Sequence, residues 1–304
     1  MRAATLLSAL SAVTAILGEQ YTSRKAYQLE PGTWIENFSP RGQSWYTRLT
    51  RLDSPEVQEV DPSHQHGGPR TIYTFEDATN ATGIAELSPD TYAVTTLNKI
   101  GDDTTVTIWT FQATTGTATK AIENVPGTSF LNGLAAISSS IVLAADTLDG
   151  GIYRIDLEAG TANKILTGDA FAPGINGLRF KNGYLYYTNS LLGIFGRIAI
   201  DPATGAPAGA AESLAKGDIL GGADDFALAY WTDAAFVVNF EKNTLVRVNF
   251  GDGEGNAEVV VEGIPAPTTA TFGTSGGLYV ATSGTGENGG ASIWSVVVPD
   301  ETYV

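Results

Sequence analysis

The stretch that decides the fold is Asn176-Gly-Leu-Arg-Phe, followed by Tyr184-Leu-Tyr-Tyr-Thr-Asn and then by Gly196-Arg-Ile-Ala-Ile-Asp. Each segment is a short run of apolar, aromatic or β-branched residues bounded by Gly, Asp or Asn, which is typical of a β-strand between tight turns. The pattern recurs five more times along the chain. The polar residues that lead the six copies stand at positions 36, 82, 132, 176, 224 and 268, so the repeat length is 44 to 50 residues.

Six copies of this length, each with three or four short strands, predict an all-β protein with the architecture of a six-bladed β-propeller. A β-sandwich or a pair of β domains is the alternative, but a sandwich does not explain six regular copies. We expect residues 19–304 to form one propeller domain with its site in the central channel. The first and last blades are expected to share strands, because an open ring would expose strand edges.

The composition argues against several classes of function. The 304 residues include 17 Lys+Arg and 33 Asp+Glu, and the net charge of −16 disfavours nucleic acid and anionic membranes as partners. The chain has no Cys and two His, which excludes a thiolate nucleophile, a Cys-ligated metal and a His-rich metal site. We expect a small-molecule partner, and the sequence does not indicate the oligomeric state.

Residues 1–18 are predicted to be a secretory signal peptide. Arg2 precedes an apolar run from residue 3 to residue 17, which is too short to span a bilayer. A buried helix is the alternative interpretation. The signal predicts entry into the secretory pathway and secretion. Asn37 and Asn80 stand in glycosylation sequons, although such triplets often arise by chance.

Equivalent residues at the starts of the innermost strands of a propeller surround one end of the channel. The sequence predicts a ring of six polar side chains there: Glu36, Thr82, Asn132, Asn176, Asp224 and Thr268. Two carboxylates and two amides in this ring form a typical oxygen set for a divalent cation such as Ca, Mg, Mn or Zn. Turn chemistry is the alternative at each position, since Asn-Gly and Asp-Asp are common in turns. In blade one, Glu36 and Asn37 compete for the ring position.

Several of these segments resemble a known family. They are similar to segments of the six-bladed propellers of the SMP-30/gluconolactonase-like family, and more closely to its secreted fungal branch. The segments are Glu36-Asn-Phe, Asn132-Gly-Leu, Asn176-Gly-Leu and Asp224-Asp-Phe-Ala. The resemblance covers roughly residues 34–298. In the lactonases of this family a Glu, two Asn and an Asp hold one divalent ion, which implies a metal role for Glu36, Asn132, Asn176 and Asp224, with Asp224 also a general base.

The chain departs from the lactonases at two of these positions. Their Glu stands in a Glu-Gly-Pro turn, where this chain has Glu36-Asn-Phe, and their Asp is followed by Gly, where this chain has Asp225. The fungal branch includes hetero-Diels-Alderases of tropolonic sesquiterpenoid biosynthesis, which join a tropolone quinone methide to a terpene alkene without a cofactor. The resemblance therefore implies a cofactor-free pericyclase. Metal-dependent lactone hydrolysis and non-enzymatic small-molecule binding are the alternatives.

Cycloaddition needs an apolar pocket that holds two partners face to face, with hydrogen-bond donors on the quinone methide oxygen. The ring residues are the candidate catalytic groups: Asn132, Asn176, Asp224, Thr82 and Thr268. The candidate aromatic walls of the pocket are Phe38, Phe130, Phe226 and Trp231. The alternative for each aromatic residue is packing between blades.

Overall fold

The computed structural model describes residues 21–40, 44–63, 67–251, 255–274, 276–284 and 289–299. Six four-stranded sheets surround a channel, and their innermost strands contact one another in a closed ring. The predicted all-β, six-bladed propeller is therefore confirmed. The predicted signal peptide, residues 1–18, lies outside the described residues. In the part of the chain that the structure describes, no helix is long and apolar enough to cross a membrane.

Each of the first five blades is an antiparallel meander of four consecutive strands, which run in order from the channel outward. Blade one is β2 (Ile35–Pro40), β3 (Thr47–Arg51), β4 (Glu56–Val60) and β5 (Arg70–Thr74); blade two is β6 (Asn80–Ser88), β7 (Thr91–Ile100), β8 (Asp103–Gln112) and β9 (Thr117–Ile122); blade three is β10 (Leu131–Ala136), β11 (Ile141–Asp146), β12 (Ile152–Asp156) and β13 (Thr161–Leu166); blade four is β14 (Ile175–Lys181), β15 (Tyr184–Asn189), β16 (Ile194–Ala199) and β17 (Glu212–Lys216); blade five is β18 (Ala223–Leu228), β19 (Ala234–Asn239), β20 (Thr244–Asn249) and β21 (Asn256–Glu262). Two short 3-10 helices, Asp169–Phe171 and Asp218–Leu220, lie in connections.

Blade six closes the ring with strands from both ends of the propeller. It contains β22 (Pro267–Phe272), β23 (Leu278–Thr282) and β24 (Ser292–Val297), and its outermost strand is β1 (Thr22–Gln28). Strand β1 pairs antiparallel with β24 along its length. The expectation that the first and last blades share strands is therefore correct, and the pairing leaves no gap in the ring.

The hydrophobic core consists of six clusters, one between each pair of neighbouring blades. Side chains alternate along a strand, so each sheet presents one apolar face to the blade before it and one to the blade after it. Between blades four and five, for example, Phe195 packs edge-to-face on Phe226 with ring centroids 5.1 Å apart. This interblade packing holds the innermost strands in place around the channel.

All six innermost strands carry a β-bulge near their first residues. In blades one to five, two consecutive residues fall inside the irregularity, and the first is the predicted ring residue. The second is glycine in blades two, three and four. A Cβ on Gly83 would overlap the carbonyl oxygen of Asn132, and one on Gly177 would overlap Asp225, so the tight channel requires glycine at these positions. Blades one and five instead carry Asn37 and Asp225 there.

Candidate active site

A cavity of about 290 Å³ opens at the end of the channel where the innermost strands begin. The structure brings four of the six predicted ring residues together on it: Glu36, Asn132, Asn176 and Asp224. The remaining lining residues are Trp34, Leu52, Phe130, Ser190, Gly222, Phe240 and Glu241. The cavity thus has a polar floor and partly aromatic walls, which is the usual composition of a small-molecule site.

A directed chain of hydrogen bonds runs through the polar floor. It begins at Asn37, whose Nδ2 donates to the carbonyl oxygen of Thr82 at 3.3 Å and to Oδ1 of Asn132 at 3.0 Å. A backbone carbonyl only accepts hydrogen bonds, so it fixes which side-chain atom of Asn37 is the nitrogen. The atom of Asn132 that faces Asn37 must then be its oxygen.

The orientation of Asn132 determines the direction of the rest of the chain. Its Nδ2 donates to Oε1 of Glu36 and to Oδ1 of Asn176, each at 2.9 Å. The Nδ2 of Asn176 then donates to the hydroxyl of Ser190 at 3.3 Å, and that hydroxyl donates to the carbonyl of Ala223 at 2.5 Å. Both ends of the chain are backbone carbonyls, so every amide in it has one consistent orientation.

Two carboxyl groups in this floor have raised pKa values. Burial raises the pKa of Glu36 to about 7, although hydrogen bonds from Trp34 and Asn132 oppose the rise. Burial also raises the pKa of Asp224 well above its usual range, and the nearby carboxyls of Glu36 and Asp225 add to the shift. Two carboxylates that share a desolvated site cannot both ionise easily. The pair therefore retains a proton near neutral pH. Both residues line the cavity, and Asp224 is half-buried where Glu36 is buried, so Asp224 is the more accessible of the two.

Asp225 lies beside Asp224 in the sequence but has different partners. Its Oδ2 accepts hydrogen bonds from Nη2 of Arg179 and, at 2.8 Å, from Oγ1 of Thr269. Burial raises the pKa of Asp225, and the Arg179 guanidinium opposes that rise. Asp225 therefore belongs to a buried ion pair inside the channel, and it does not line the cavity.

Thr82 and Thr268 are on the ring, but the structure does not place them as donors to a ligand. Both are fully buried. The hydroxyl of Thr82 donates to the carbonyl of Leu131 at 2.7 Å, and that of Thr268 donates to the carbonyl of Ile35 at 2.8 Å. Each hydroxyl hydrogen joins two neighbouring blades and is directed away from the cavity. The catalytic role of these threonines stays a prediction.

Of the four predicted wall aromatics, the structure brings one to the cavity. Phe130 lines it. Phe226 is fully buried between blades four and five, and Phe38 is buried between blades one and six, where it also borders a hollow at the other end of the channel. Trp231 follows the end of β18 and contacts Phe272, also at that other end. These three residues follow the bulge in their blades, where the strand has already left the cavity.

Most of the cavity wall is formed by residues that the repeat pattern did not predict. Trp34 and Phe240 stack there with ring centroids 5.9 Å apart and planes 22° apart, and Nε1 of Trp34 donates to Oε2 of Glu36 at 2.7 Å. Leu52, Ser190 and Phe240 each stand directly after the second strand of a blade. The repeat pattern could have identified these positions. In each blade the second strand ends at the same end of the channel where the innermost strand begins.

The two predicted glycosylation positions differ in accessibility. Asn37 is 3 % exposed, and its side-chain nitrogen donates inside the channel, so the folded chain leaves no room for a glycan there. Asn80 is half-buried, and its Nδ2 donates to the carbonyl of Leu52. Glycosylation at Asn80 stays a prediction.

The donor orientation bears on the predicted divalent-metal site. Four oxygens would be needed from Glu36, Asn132, Asn176 and Asp224, but Oδ1 of Asn132 is bonded to Asn37 and its nitrogen faces Glu36. Within the described ranges, no three His, Cys, Asp or Glu side chains group as metal ligands. In this arrangement the four residues do not fit the ion, because Asn132 would have to break its bond to Asn37.

Comparison with solved structures identifies the fold. The chain has the six-bladed propeller fold of the SMP-30, regucalcin and gluconolactonase type. A calcium-binding protein, regucalcin, from Agrobacterium tumefaciens matches with a TM-score of 0.69 and 17 % identity over 92 % of this chain and 95 % of that one. A gluconolactonase from Xanthomonas campestris matches with a TM-score of 0.63 and 15 % identity over 91 % of this chain and 89 % of that one.

One curated protein is similar in sequence. It is "Putative hetero-Diels-Alderase asR5" of Sarocladium schorii, 25 % identical over an alignment that covers 83 % of this chain and 74 % of that protein. No protein-family model matches the chain. The resemblance that the repeat segments indicated is therefore confirmed, both to the SMP-30/gluconolactonase-like propellers and to a protein named as a putative hetero-Diels-Alderase.

Proposed function

We propose that the chain is a small-molecule enzyme of secondary metabolism that catalyses an intermolecular hetero-Diels–Alder cycloaddition in the 290 Å³ cavity. Its substrates would be a tropolone quinone methide and a terpene alkene. The observation that carries the proposal is one cavity lined both by aromatic residues and by Asp224, whose pKa is raised well above its usual range by burial and by the neighbouring carboxyls. Similarity to the Sarocladium schorii protein supports the reaction class.

The reaction requires little from the protein beyond positioning and polarisation. The quinone methide supplies a four-atom C=C–C=O unit, and the alkene supplies two carbons. Three π bonds are consumed, and one C–C bond, one C–O bond and one new π bond form. Atoms and electrons balance without an oxidant or a leaving group. Holding both partners in the reactive geometry lowers the barrier by removing the entropy cost of their encounter.

Asp224 is the donor that we assign to the quinone methide oxygen. Its raised pKa keeps a proton on the Asp224–Glu36 pair near neutral pH, and its half-buried side chain is open to the cavity. A hydrogen bond to that oxygen withdraws electron density and speeds addition of the alkene. Asn132 cannot take this role, because both hydrogens of its Nδ2 are already donated to Glu36 and Asn176. We assign it instead to holding the floor in place.

The aromatic wall would hold the planar quinone methide. Trp34 and Phe240 stack on one another, and Phe130 lines the same cavity. Offset stacking of a planar ligand on such rings contributes about 0.5–1.5 kcal/mol for each pair. The indole hydrogen of Trp34 is bonded to Glu36, which fixes the orientation of this ring relative to the floor.

The test uses the purified full chain with an o-quinone methide released in solution from a stable precursor and with a terpene alkene. We expect product formation above the uncatalysed background, with an excess of one enantiomer. Asp224→Ala should reduce the catalysed rate by about 10²-fold, the scale of losing one oriented donor. Asp224→Asn keeps an N–H donor and should retain part of the rate. Tyr184→Ala, at a tyrosine that packs on Arg197 and does not line the cavity, is the control.

Two results would contradict the proposal: a racemic product at the background rate, or equal rates for the wild type and Asp224→Ala. Metal-dependent lactone hydrolysis is the competing function and has its own readout. Elemental analysis of the dialysed protein would give about one equivalent of divalent ion, lost in Asp224→Ala, together with hydrolysis of a sugar lactone that a chelator abolishes.

A further inference from the structure

The channel has a second opening, at the end where the innermost strands finish. Two adjoining hollows of about 250 and 210 Å³ lie there, and Pro40, Arg179 and Phe180 border both. The larger hollow also contains Glu86. Among the residues that the structure describes, the smaller hollow is lined by two cations, apolar and aromatic side chains and one threonine, and no carboxylate is in this lining.

The wall of the smaller hollow is aromatic. Phe180, Tyr230 and Phe272 line it, and Trp231 contacts both Tyr230 and Phe272 with ring centroids 5.9 and 5.4 Å away. Tyr230 is 61 % exposed and Trp231 is 38 % exposed, although both are large apolar side chains. Burying such rings against a ligand is favourable, and an exposed aromatic cluster beside a concave surface is a common mark of a binding site.

Two cations from the described part of the chain border this hollow, although the net charge of the whole chain is −16. Arg179 is neutralised by its ion pair with Asp225. Lys181 is different, because its Nζ donates to the carbonyl of Ala229 at 2.6 Å and has no carboxylate within ion-pair distance among the described residues. A half-buried ammonium ion without a counter-ion attracts an anionic ligand.

We propose that the hollow formed by Pro40, Phe180, Lys181, Leu228, Tyr230 and Phe272 is a second small-molecule site, distinct from the 290 Å³ cavity at the opposite end of the channel. Its ligand would be an apolar aromatic or polycyclic molecule with one anionic group. The rings would contact Tyr230 and Phe272, and the anion would lie against Lys181. The proposal is independent of the reaction at the first cavity.

The test is a fluorescence titration of the full chain with 1-anilinonaphthalene-8-sulfonate, which combines aromatic rings with one sulfonate. We expect one saturable site. Lys181→Met, which keeps the aliphatic stem, should weaken binding by about tenfold, the scale of a charge-assisted contact. Tyr230→Ala should weaken it comparably. Phe130→Ala, in the first cavity, should leave the affinity unchanged, and thermal melting would verify that each variant is folded.

A second probe isolates the charge. N-phenyl-1-naphthylamine has the same rings without the sulfonate, so its affinity should be equal in the wild type and in Lys181→Met. Unchanged sulfonate binding in both Lys181→Met and Tyr230→Ala would overturn the proposal. Loss of binding in Phe130→Ala would overturn it as well, because the probe would then occupy the first cavity.

Discussion

Asn37, in the innermost strand of blade one, donates a 3.0 Å hydrogen bond to Oδ1 of Asn132 in blade three. The bond crosses in front of blade two, where the same Nδ2 reaches the carbonyl of Thr82. The lactonases that the chain resembles have glycine at the position of Asn37. One side chain next to Glu36 thus turns the amide nitrogen of Asn132, and not its oxygen, toward the carboxyl floor.

Removing Asn37 should therefore convert the floor toward a cation site. In Asn37→Ala, Asn132 is free to rotate its oxygen into the cavity, so we expect calcium to bind at least about tenfold more tightly than in the wild type by calorimetric titration. The variant should lose about 1–3 kcal/mol of unfolding free energy with the buried hydrogen bonds. Ser39→Ala, in the same strand, is the control. Equal calcium affinities in the wild type and in Asn37→Ala would show that Asn37 does not set the orientation.

The pH dependence of stability should reveal the raised pKa of Glu36. Its pKa is about 7 in the folded protein against 4.5 when unperturbed, so the folded state binds the proton more tightly than the unfolded state. That stabilisation is complete below about pH 4.5 and is lost as pH rises through 7. From pH 5 to 8, Glu36 should contribute a decline of up to about 3 kcal/mol in unfolding free energy.

Glu36→Gln tests this assignment, because glutamine has no proton to lose. Its curve of melting temperature against pH should fall less steeply than that of the wild type, with Asp224 supplying the remaining slope. Glu241→Gln, at the exposed rim of the same cavity, should follow the wild type. Parallel curves for the wild type and Glu36→Gln would refute the raised pKa.

Two of the predicted wall aromatics, Phe226 and Phe130, should respond differently to substitution, because one packs between blades and the other lines the cavity. Phe226→Ala should lower the unfolding free energy by about 3–5 kcal/mol, because it empties a fully buried volume between two blades. Phe130 is half-buried on the cavity wall, so Phe130→Ala should lower the unfolding free energy much less and should reduce the enantiomeric excess of the proposed cycloaddition. Urea unfolding and chiral chromatography measure the two effects. A stable Phe226→Ala variant with altered selectivity would reverse this assignment.

The repeat made the fold predictable because each blade buries two faces of one sheet, which imposes the same strand and turn pattern six times. The same position in each repeat predicts side chains at the same end of the channel. The structure places four of them on one cavity: Glu36, Asn132, Asn176 and Asp224. The register did not predict the hydrogen bonds of Thr82 and Thr268. The position of a residue on the ring does not reveal that its hydroxyl is bonded to a strand of the neighbouring blade.

The wall was predicted less well for a geometric reason. The predicted wall residues stand close in sequence to the ring positions, but a strand moves down the channel by about 3.3 Å per residue and turns each successive side chain to the other face. Phe226 therefore points into the blade interface. Phe240, distant in sequence from every ring residue, reaches the cavity because β19 returns to the same end of the channel.

The buried Arg179–Asp225 ion pair should contribute to the stability of the fold. Asp225 is 1 % exposed, so Arg179→Met would leave its carboxylate buried without a counter-charge, and we expect a loss of about 3–5 kcal/mol at pH 8 in urea unfolding. The loss should shrink at pH 5, because the uncompensated carboxyl then takes up a proton. Asp225→Asn leaves Arg179 beside the solvent-facing hollow, so it should lower the unfolding free energy less than Arg179→Met does. The double variant should be more stable than Arg179→Met alone. A double variant that simply sums the two losses would show that the pair is not coupled.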